Sequence, residues 1–488
     1  MLEVEDLTVR YRGRSKPAVR SLSFETKDRE FILLAGNSAS GKSTAMQVVC
    51  GFIPHIIPAE VDGAVRLDGK EYSDPAEVAG VACMVQQDPE TQFCTETVEE
   101  EVAFGPENLR YPRGEIASSV DHALAAVKAS HLIDRRLSTL SGGEKQKVAI
   151  ASVLSVNPRL LILDEPTASL DPRSVGQVVR AIRAAKAVRD ITVIVVEHRV
   201  RDFIDMSDRL ITLAEGKLEL DCRRGEAEFL VARARALAPL KYRRPVLEMG
   251  QAAISVRGLS LEMEGWQILD GVDLDIREGA VVALMGENGS GKTTLLRHFV
   301  GLQPVQKGTI SICGHTVSSA RNVDPWDIGR DVGLVFQNPN HQLFENTVER
   351  EMLFASTNFL TKTSAAREAL DNFERQEGLQ RYVHPHRLSF GQKRRVNILS
   401  AYSHEPKVLL LDEPFAGQDQ DNQERIVTVI SDIQRSGRTI VVVTHDLDFA
   451  KQYCTDALVL NEGRVVASGP VDAIPETVWK SLSAEGRG

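Results

Sequence analysis

Gly36-Asn37-Ser38-Ala39-Ser40-Gly41-Lys42-Ser43 is the stretch that decides how the chain folds. An apolar run, Phe31-Ile32-Leu33-Leu34-Ala35, precedes it, and a helix-compatible run, Thr44-Ala45-Met46-Gln47-Val48-Val49, follows it. Strand, glycine-rich turn, Lys-Ser and helix together make a phosphate-cradling loop. The glycines let the backbone turn tightly and bring its N–H groups onto phosphate oxygens. The helix that starts there points its positive end at the same anion. Lys42 can reach the β- and γ-phosphates, and Ser43 can ligate Mg²⁺. The bare alternative is a glycine turn with no ligand. The strand and helix on either side favour the phosphate loop.

The stretch occurs twice. Gly286-Glu287-Asn288-Gly289-Ser290-Gly291-Lys292-Thr293 repeats it, with Lys292 standing 250 residues after Lys42. Val85-Gln86-Gln87-Asp88-Pro89 returns as Val335-Phe336-Gln337-Asn338-Pro339. Leu160-Leu161-Ile162-Leu163-Asp164-Glu165-Pro166 returns as Val408-Leu409-Leu410-Leu411-Asp412-Glu413-Pro414, with Asp412 lying 248 residues after Asp164. An ordered set of matches at a domain-sized period indicates duplication of a whole domain, not a solenoid.

The 488 residues suffice for two full-sized cores. At 42% apolar and 26% charged, the composition is that of a soluble globular protein. The longest apolar runs, such as Ile191-Thr192-Val193-Ile194-Val195-Val196, are too short to span a bilayer. Met1-Leu2-Glu3-Val4-Glu5-Asp6 lacks the basic start and apolar core of a signal peptide. Cys50, Cys83, Cys94, Cys222, Cys313 and Cys454 are scattered, which favours a reducing compartment and neither disulfides nor zinc. A net charge of −10 argues against broad electrostatic binding to nucleic acid.

The first copy is expected over residues 1–225, a linker over 226–251 and the second copy over 252–488. Ala227 to Leu237 can extend a helix that Pro239 would end, with Pro245 a second breaker. The linker's Arg233, Arg235, Lys241, Arg243 and Arg244 read as a solvated surface, with acidic lipid or RNA the alternative contact. Leu2-Glu3-Val4-Glu5 and Ile254-Ser255-Val256-Arg257 alternate as antiparallel strands do. The runs ending in Asp-Glu are continuously apolar, as in parallel strands buried on both faces. Each copy is therefore expected to be α/β: a parallel-sheet core, an antiparallel β subdomain and a helical insertion.

In Asp164-Glu165 and Asp412-Glu413 an apolar strand delivers paired carboxylates at its end. The first can hold Mg²⁺ or its water shell; the second can orient or deprotonate an attacking water. Capping of the next turn is the alternative, and the preceding phosphate loop favours chemistry. Leu140-Ser141-Gly142-Gly143-Glu144-Lys145-Gln146 leads into a helical run, with Ser141 placed as an N-cap and glycines at the helix start. That is a second anion-binding tip or an ordinary capped helix. Its counterpart is Leu388-Ser389-Phe390-Gly391-Gln392-Lys393-Arg394.

With these motifs in this order, the chain resembles the ATP-binding cassette family over essentially its whole length, twice. The resemblance implies two domains paired head to tail, with ATP between the phosphate loop of one and the signature segment of the other. Site one would use Tyr11, Lys42, Ser43, Thr44, Gln87, Asp164, Glu165 and His198, facing Ser389 and Gly391. Site two would use Lys292, Thr293, Thr294, Gln337, Asp412, Glu413 and His445, facing Ser141, Gly142 and Gly143. In this pattern Glu165, Glu413, His198 and His445 are catalytic. The resemblance implies ATP and Mg²⁺ as cofactors, the metal falling to Ser43, Gln87 and Asp164 in one site and to Thr293, Gln337 and Asp412 in the other. A lone histidine after an apolar strand is usually structural; here the two match the family's γ-phosphate sensor. Asp171 and Asp419 match its interface-linking aspartate.

The copies differ. Phe390 replaces the first signature glycine, so site one is expected to be distorted but working, at a cost of about 1–2 kcal/mol if a positive φ is required there. Tyr11 fits the family's adenine-stacking aromatic. Met263 aligns with it in the second copy, with Trp266 nearby.

Gln92 and Gln342, and the runs Thr97-Val98-Glu99-Glu100-Glu101 and Thr347-Val348-Glu349-Arg350-Glu351, resemble the ATPases of energy-coupling factor transporters, importers of vitamins and metal ions. That resemblance implies a transmembrane coupling protein, a small membrane substrate-binding protein, a place at the cytoplasmic face of the membrane and no nucleic acid. Gly51-Phe52-Ile53-Pro54-His55-Ile56-Ile57-Pro58 resembles fused members linked with thiamine or its pyrimidine precursor. Glu96, Glu99, Glu100 and Glu101 form either a solvated helix start or a dock for arginines of the coupling protein. The rival readings are a fused sugar-importer ATPase and a soluble tandem ATPase acting on ribosomes.

Overall fold

A computed structural model describes all of the chain except residues 13–15, 73, 169, 171, 199, 238–249, 322, 362–363, 378–380 and 483–488. It divides into two compact units, Met1–Ala238 and Pro239–Gly488. Asp171, Lys241, Arg243, Arg244, Pro239 and Pro245 lie outside the described residues. The expected helix is present over Ala227–Leu237. It docks on the first unit, burying Phe229 in that unit's core and pairing Arg233 with Asp205 at 2.7 Å.

Each unit is built on a six-stranded sheet. In the first, the spatial order is Lys217–Arg223, Arg209–Ala214, Phe31–Ala35, Thr192–Val196, Leu160–Asp164, Ala82–Val85. The second matches it strand for strand: Arg464–Pro470, Asp456–Asn461, Val281–Met285, Thr439–Val443, Val408–Asp412, Val332–Val335. Pairing is parallel throughout except for the hairpin at one edge. The central strands are buried at every residue. Helices cover both faces of such a sheet, so an unbroken apolar run is what it requires.

A second, antiparallel sheet adjoins each core. It orders Val19–Glu25, Leu2–Tyr11, Ala59–Leu67, Lys70–Glu71 in the first unit and Trp266–Arg277, Ala252–Met263, Lys307–Ile312, His315–Ser318 in the second. The long first strand of each sheet alternates buried and exposed residues, as expected from its sequence. Between the last two core strands, each unit inserts three helices: Val98–Asn108, Arg113–Ala126 and Gly142–Leu154, and Val348–Asn358, Ser364–Glu377 and Phe390–Tyr402. This is the α/β architecture read from the sequence. The phosphate loops leave the carboxyl ends of central strands, where ligands bind in open α/β sheets.

Candidate nucleotide-binding sites

Both loops after Phe31–Ala35 and Val281–Met285 have the backbone that a phosphate cradle needs. Gly36 takes φ 140°, and a Cβ there would strike the Leu213 carbonyl oxygen at 2.3 Å. Gly41, at φ 97°, caps the helix Lys42–Val49, and Gly291, at φ 100°, caps Lys292–Phe299. Gly286, at φ 147°, meets the Leu460 carbonyl in the same way at 2.1 Å. Ala39 holds φ 63° where the second copy has Gly289.

The loops are drawn tight by their lysines. Lys42 Nζ donates to the carbonyls of Gly36 (2.7 Å) and Asn37 (2.9 Å), and Lys292 Nζ to those of Gly286 (2.9 Å) and Glu287 (2.8 Å). Ser43 Oγ donates to Asp164 at 2.9 Å, and Thr293 Oγ1 to Asp412 at 2.9 Å. Tyr11 ends its strand with its hydroxyl 3.1 Å from Thr44 Oγ1. Met263 ends the matching strand opposite Trp266 in the hairpin, and both are exposed. Thr294 lies in the first turn of its helix, where its carbonyl meets His298 Nδ1 at 2.8 Å.

The carboxylates gather around the loops. Burial, reinforced by the charge of Glu165, pushes the Asp164 carboxyl up to about 6. Asp412 shifts in the same direction, mainly by burial. Glu165 and Glu413 both sit at φ 47°, a left-handed backbone that costs free energy and is common at active sites. In the first unit, His198 Nε2 stands 2.5 Å from Glu165 Oε1, and Gln87 Nε2 donates to Glu165 Oε2 at 2.8 Å. Burial alone would lower the His198 pKa; the hydrogen bond and charge of Glu165 overcome it and raise the net value. In the second unit, His445 Nε2 lies 3.0 Å from Glu413 Oε1 but is aligned on Asn288 Oδ1 at 3.2 Å, leaving Glu413 Oε1 buried without a hydrogen bond. Among the described residues, no bond joins the Gln337 side chain to Glu413.

The signature segments are N-caps, as their sequence suggested. Ser141 and Glu144 form a reciprocal capping box, and so do Ser389 and Gln392. Neither Gly142 nor Phe390 has a positive φ. The expected strain at Phe390 is therefore absent: that position is the first residue of a helix, which any side chain can occupy. The glycine that geometry requires is the next one. A Cβ on Gly143 would come within 2.9 Å of Ser174, and one on Gly391 within 2.6 Å of Asn422. Asp419 caps the helix Gln420–Arg435 by accepting from Asn422 N at 2.8 Å.

Several ties escaped the sequence reading. Glu197, almost fully buried, accepts from the backbone N–H of His198 at 2.9 Å and from the Thr167 hydroxyl. It thus links the histidine to the loop after Glu165; Thr444 and Phe415 take those places in the second unit. Gln92 and Gln342 fold the glutamine loops back on themselves, accepting from Gln86 N at 3.1 Å and Phe336 N at 3.2 Å. Glu101 belongs to the fold and not to an acidic dock. It is buried and accepts from Cys94 N, Thr95 N and the Thr95 hydroxyl, as Glu351 does from Phe344 N and Glu345 N. Glu100 is used in a capping box with Thr97. Of the acidic cluster, Glu96 and Glu99 remain exposed and outside these ties.

The residues present fit a nucleotide with Mg²⁺. A positive-φ loop aims at a helix start, Ser290 Oγ is buried there without a partner, and one hydroxyl and one carboxylate converge beside the lysine in each unit. Hard oxygen donors in small number suit Mg²⁺, which takes the rest of its shell from phosphates and water.

Fold and site together define a P-loop nucleotide-binding unit, present twice. The family model for ABC transporters matches residues 19–168 and 269–416, and the chain belongs to that family. It is an ATPase of the kind coupled to transport. A putative ABC transporter ATP-binding protein of Saccharolobus solfataricus is 33% identical over 516 residues, covering 99% of this chain and 95% of the relative. A putative HMP/thiamine import ATP-binding protein of Bacillus subtilis is 32% identical over 506 residues, covering 96% and 91%. The structure of cbiO1 from Clostridium perfringens, described as part of the ABC transporter complex cbiONQ, is 32% identical with a TM-score of 0.41, covering 48% of this chain and 92% of that one. Among the described residues, no helix is long and apolar enough to cross a membrane.

Proposed function

We propose that this protein is the ATP-hydrolysing subunit of an energy-coupling factor importer, with thiamine or its hydroxymethylpyrimidine precursor the first candidate cargo and a metal ion the second. The observation that carries this reading is the match along 96% of the chain to a relative named for HMP/thiamine import. The glutamine segments containing Gln92 and Gln342 support it.

In this reading, Lys42 and Lys292 hold the β- and γ-phosphates, and Glu165 and Glu413 take the proton of the attacking water. His198 and His445 contact the γ-phosphate. Mg²⁺, held by Ser43, Gln87 and Asp164 or by Thr293, Gln337 and Asp412, would supply charge neutralisation. Each signature segment would present its helix N–H groups to the nucleotide of the other unit. ATP would then hold the units together, and hydrolysis would release them.

The partners are a transmembrane coupling protein and a small membrane substrate-binding protein, which place the chain at the cytoplasmic face of the membrane. The docking surface follows each glutamine loop. There Phe104 is exposed in the first unit, on the helix Val98–Asn108 whose start carries the exposed Glu99, and Phe344 and Phe354 meet edge to face at 4.6 Å in the second. Such a surface fits amphipathic helices carrying arginine.

Two measurements test this. E165Q with E413Q should lower ATPase kcat by roughly a hundredfold or more; full activity removes both as catalysts. Affinity purification from membranes should bring down the two membrane proteins, and charge reversal at Glu96 and Glu99 should abolish that capture while ATP binding stays. Recovery of ribosomes, or of a sugar permease, would overturn the reading.

A further inference from the structure

The second unit buries a cation that the chemistry above does not use. Arg394 is fully buried on the signature helix Phe390–Tyr402. Its Nη1 donates to the Phe336 carbonyl at 2.7 Å, and its Nη2 donates to the Gln337 carbonyl. Its Nε is buried without a partner. One helical turn earlier, the Phe390 ring lies with its centroid 5.7 Å from the guanidinium carbon. The first unit has Gly142 and Gln146 at these two positions, and Gln146 Nε2 is buried without a partner.

Taking a guanidinium out of water is costly unless hydrogen bonds replace the lost ones. Two neutral carbonyls replace only part of them. A buried cation kept on those terms, beside a reactive site, points to function more than to stability.

Both units already tie the signature helix to the loop beyond the glutamine. Lys145 reaches Glu90 at 2.5 Å, and Lys393 reaches Asn340 at 2.9 Å. What differs is the glutamine itself. Gln87 is held by its side chain on Glu165, whereas Gln337 is held by its backbone on Arg394.

We propose that Arg394, covered by Phe390, is a positioning residue of the second nucleotide site that clamps the Phe336 and Gln337 carbonyls and so fixes that site's glutamine loop. Phe390 and Arg394 stand one turn apart on one helix face. The unusual signature residue is therefore part of the clamp, and the signature helix and glutamine loop of this unit move as one body. The inference rests on the reading of Gln337 and Glu413 as parts of that site.

The test uses the full chain carrying E165Q, so that hydrolysis reports on the second site. R394Q installs the first unit's residue and should lower kcat roughly ten- to a hundredfold, the scale of a small misplacement. KM for ATP should change much less than kcat, because the phosphate loop with Lys292 and Thr293 does not involve Arg394. R394K, with the charge but no fork of donors, should recover part of kcat. An unchanged kcat in R394Q, or a raised KM with kcat intact, overturns the clamp. Should R394Q not fold, F390G decides, since glycine occupies that position in the first unit: a smaller fall in kcat at constant KM supports the clamp, and no change refutes it. Residual activity in the E165Q/E413Q double variant would mean that the site reading has failed and not the clamp.

Discussion

The two units share every strand and every motif, yet their helical insertions are attached differently. In the first, the insertion and one face of the sheet form a single apolar core. Val98, Val102, Val148, Ile150 and Leu154 are continuous with Leu33, Leu163 and Val195. In the second, Leu343, Val348, Met352, Leu370, Phe373, Leu388 and Val396 form a separate small cluster. The cause lies in one helix. Both helices bury a polar pair near their start, Gln146 and Lys147 or Arg394 and Arg395; beyond it Gly142–Leu154 buries only Val148, Ala149, Ile150, Ala151, Val153 and Leu154, where Phe390–Tyr402 buries Asn397 and Ser400 among Val396, Ile398 and Ala401. Polar groups that must be hydrogen-bonded interrupt the apolar contact. A duplicated fold can thus hold the same elements in place by packing in one copy and by hydrogen bonds in the other.

This contrast can be broken most directly at Leu154. L154A removes a fully buried side chain from the shared core and should destabilise the first unit by about 2–5 kcal/mol in denaturant titrations. In the second unit, hydrogen exchange should show Val348–Asn358 and Ser364–Glu377 opening at lower free energy than Val281–Met285. Equal protection would mean that the small cluster is not an independent unit.

Charge sharpens the comparison next. Asp164 keeps its proton to about pH 6 when folded, against an ordinary 3.8, so nucleotide-free stability falls as pH rises from about 4 through 6. D164N lacks that fall. It should raise stability at pH 7 to 8 by up to about 3 kcal/mol and have little effect at pH 4. D412N should act in the same direction, and Arg394 there offsets part of the effect of burial. A destabilised D164N at pH 8 would refute the burial argument.

The smallest effect is at the signature. A Cβ on Gly391 would lie 2.6 Å from the Asn422 side chain, which Arg395 holds at 2.7 Å. G391A should therefore cost about 1–3 kcal/mol in thermal unfolding. G142A, whose Cβ would meet only Leu170 Cδ2 at 3.2 Å, should be nearly neutral.

Much of the site was legible because its residues are fixed by local rules. A positive-φ loop needs Gly36 and Gly41, and a capping box needs Ser141 with Glu144. A strand buried on both faces must read as Leu160 to Leu163 does. Other features were not legible. Glu101 looks like a surface acid in a run of acids and Glu351 like one in a charged helix start, and only the loop folded over each buries it. Phe390 looks like a damaged signature until the helix places Arg394 beneath it. Glu197 carries no local signal at all, since its partner Thr167 lies 30 residues away in sequence.

The sequence by itself determined the duplication, the α/β class, the loops and the carboxylates that end the strands. Each follows from periodicity or from backbone conformations that few residue types can adopt. Tertiary structure alone decided which polar side chains lie buried and what holds them. It also decided that one glutamine is tied by its side chain and the other by its backbone. Those outcomes depend on distances between segments far apart in the chain, and local composition does not encode such distances.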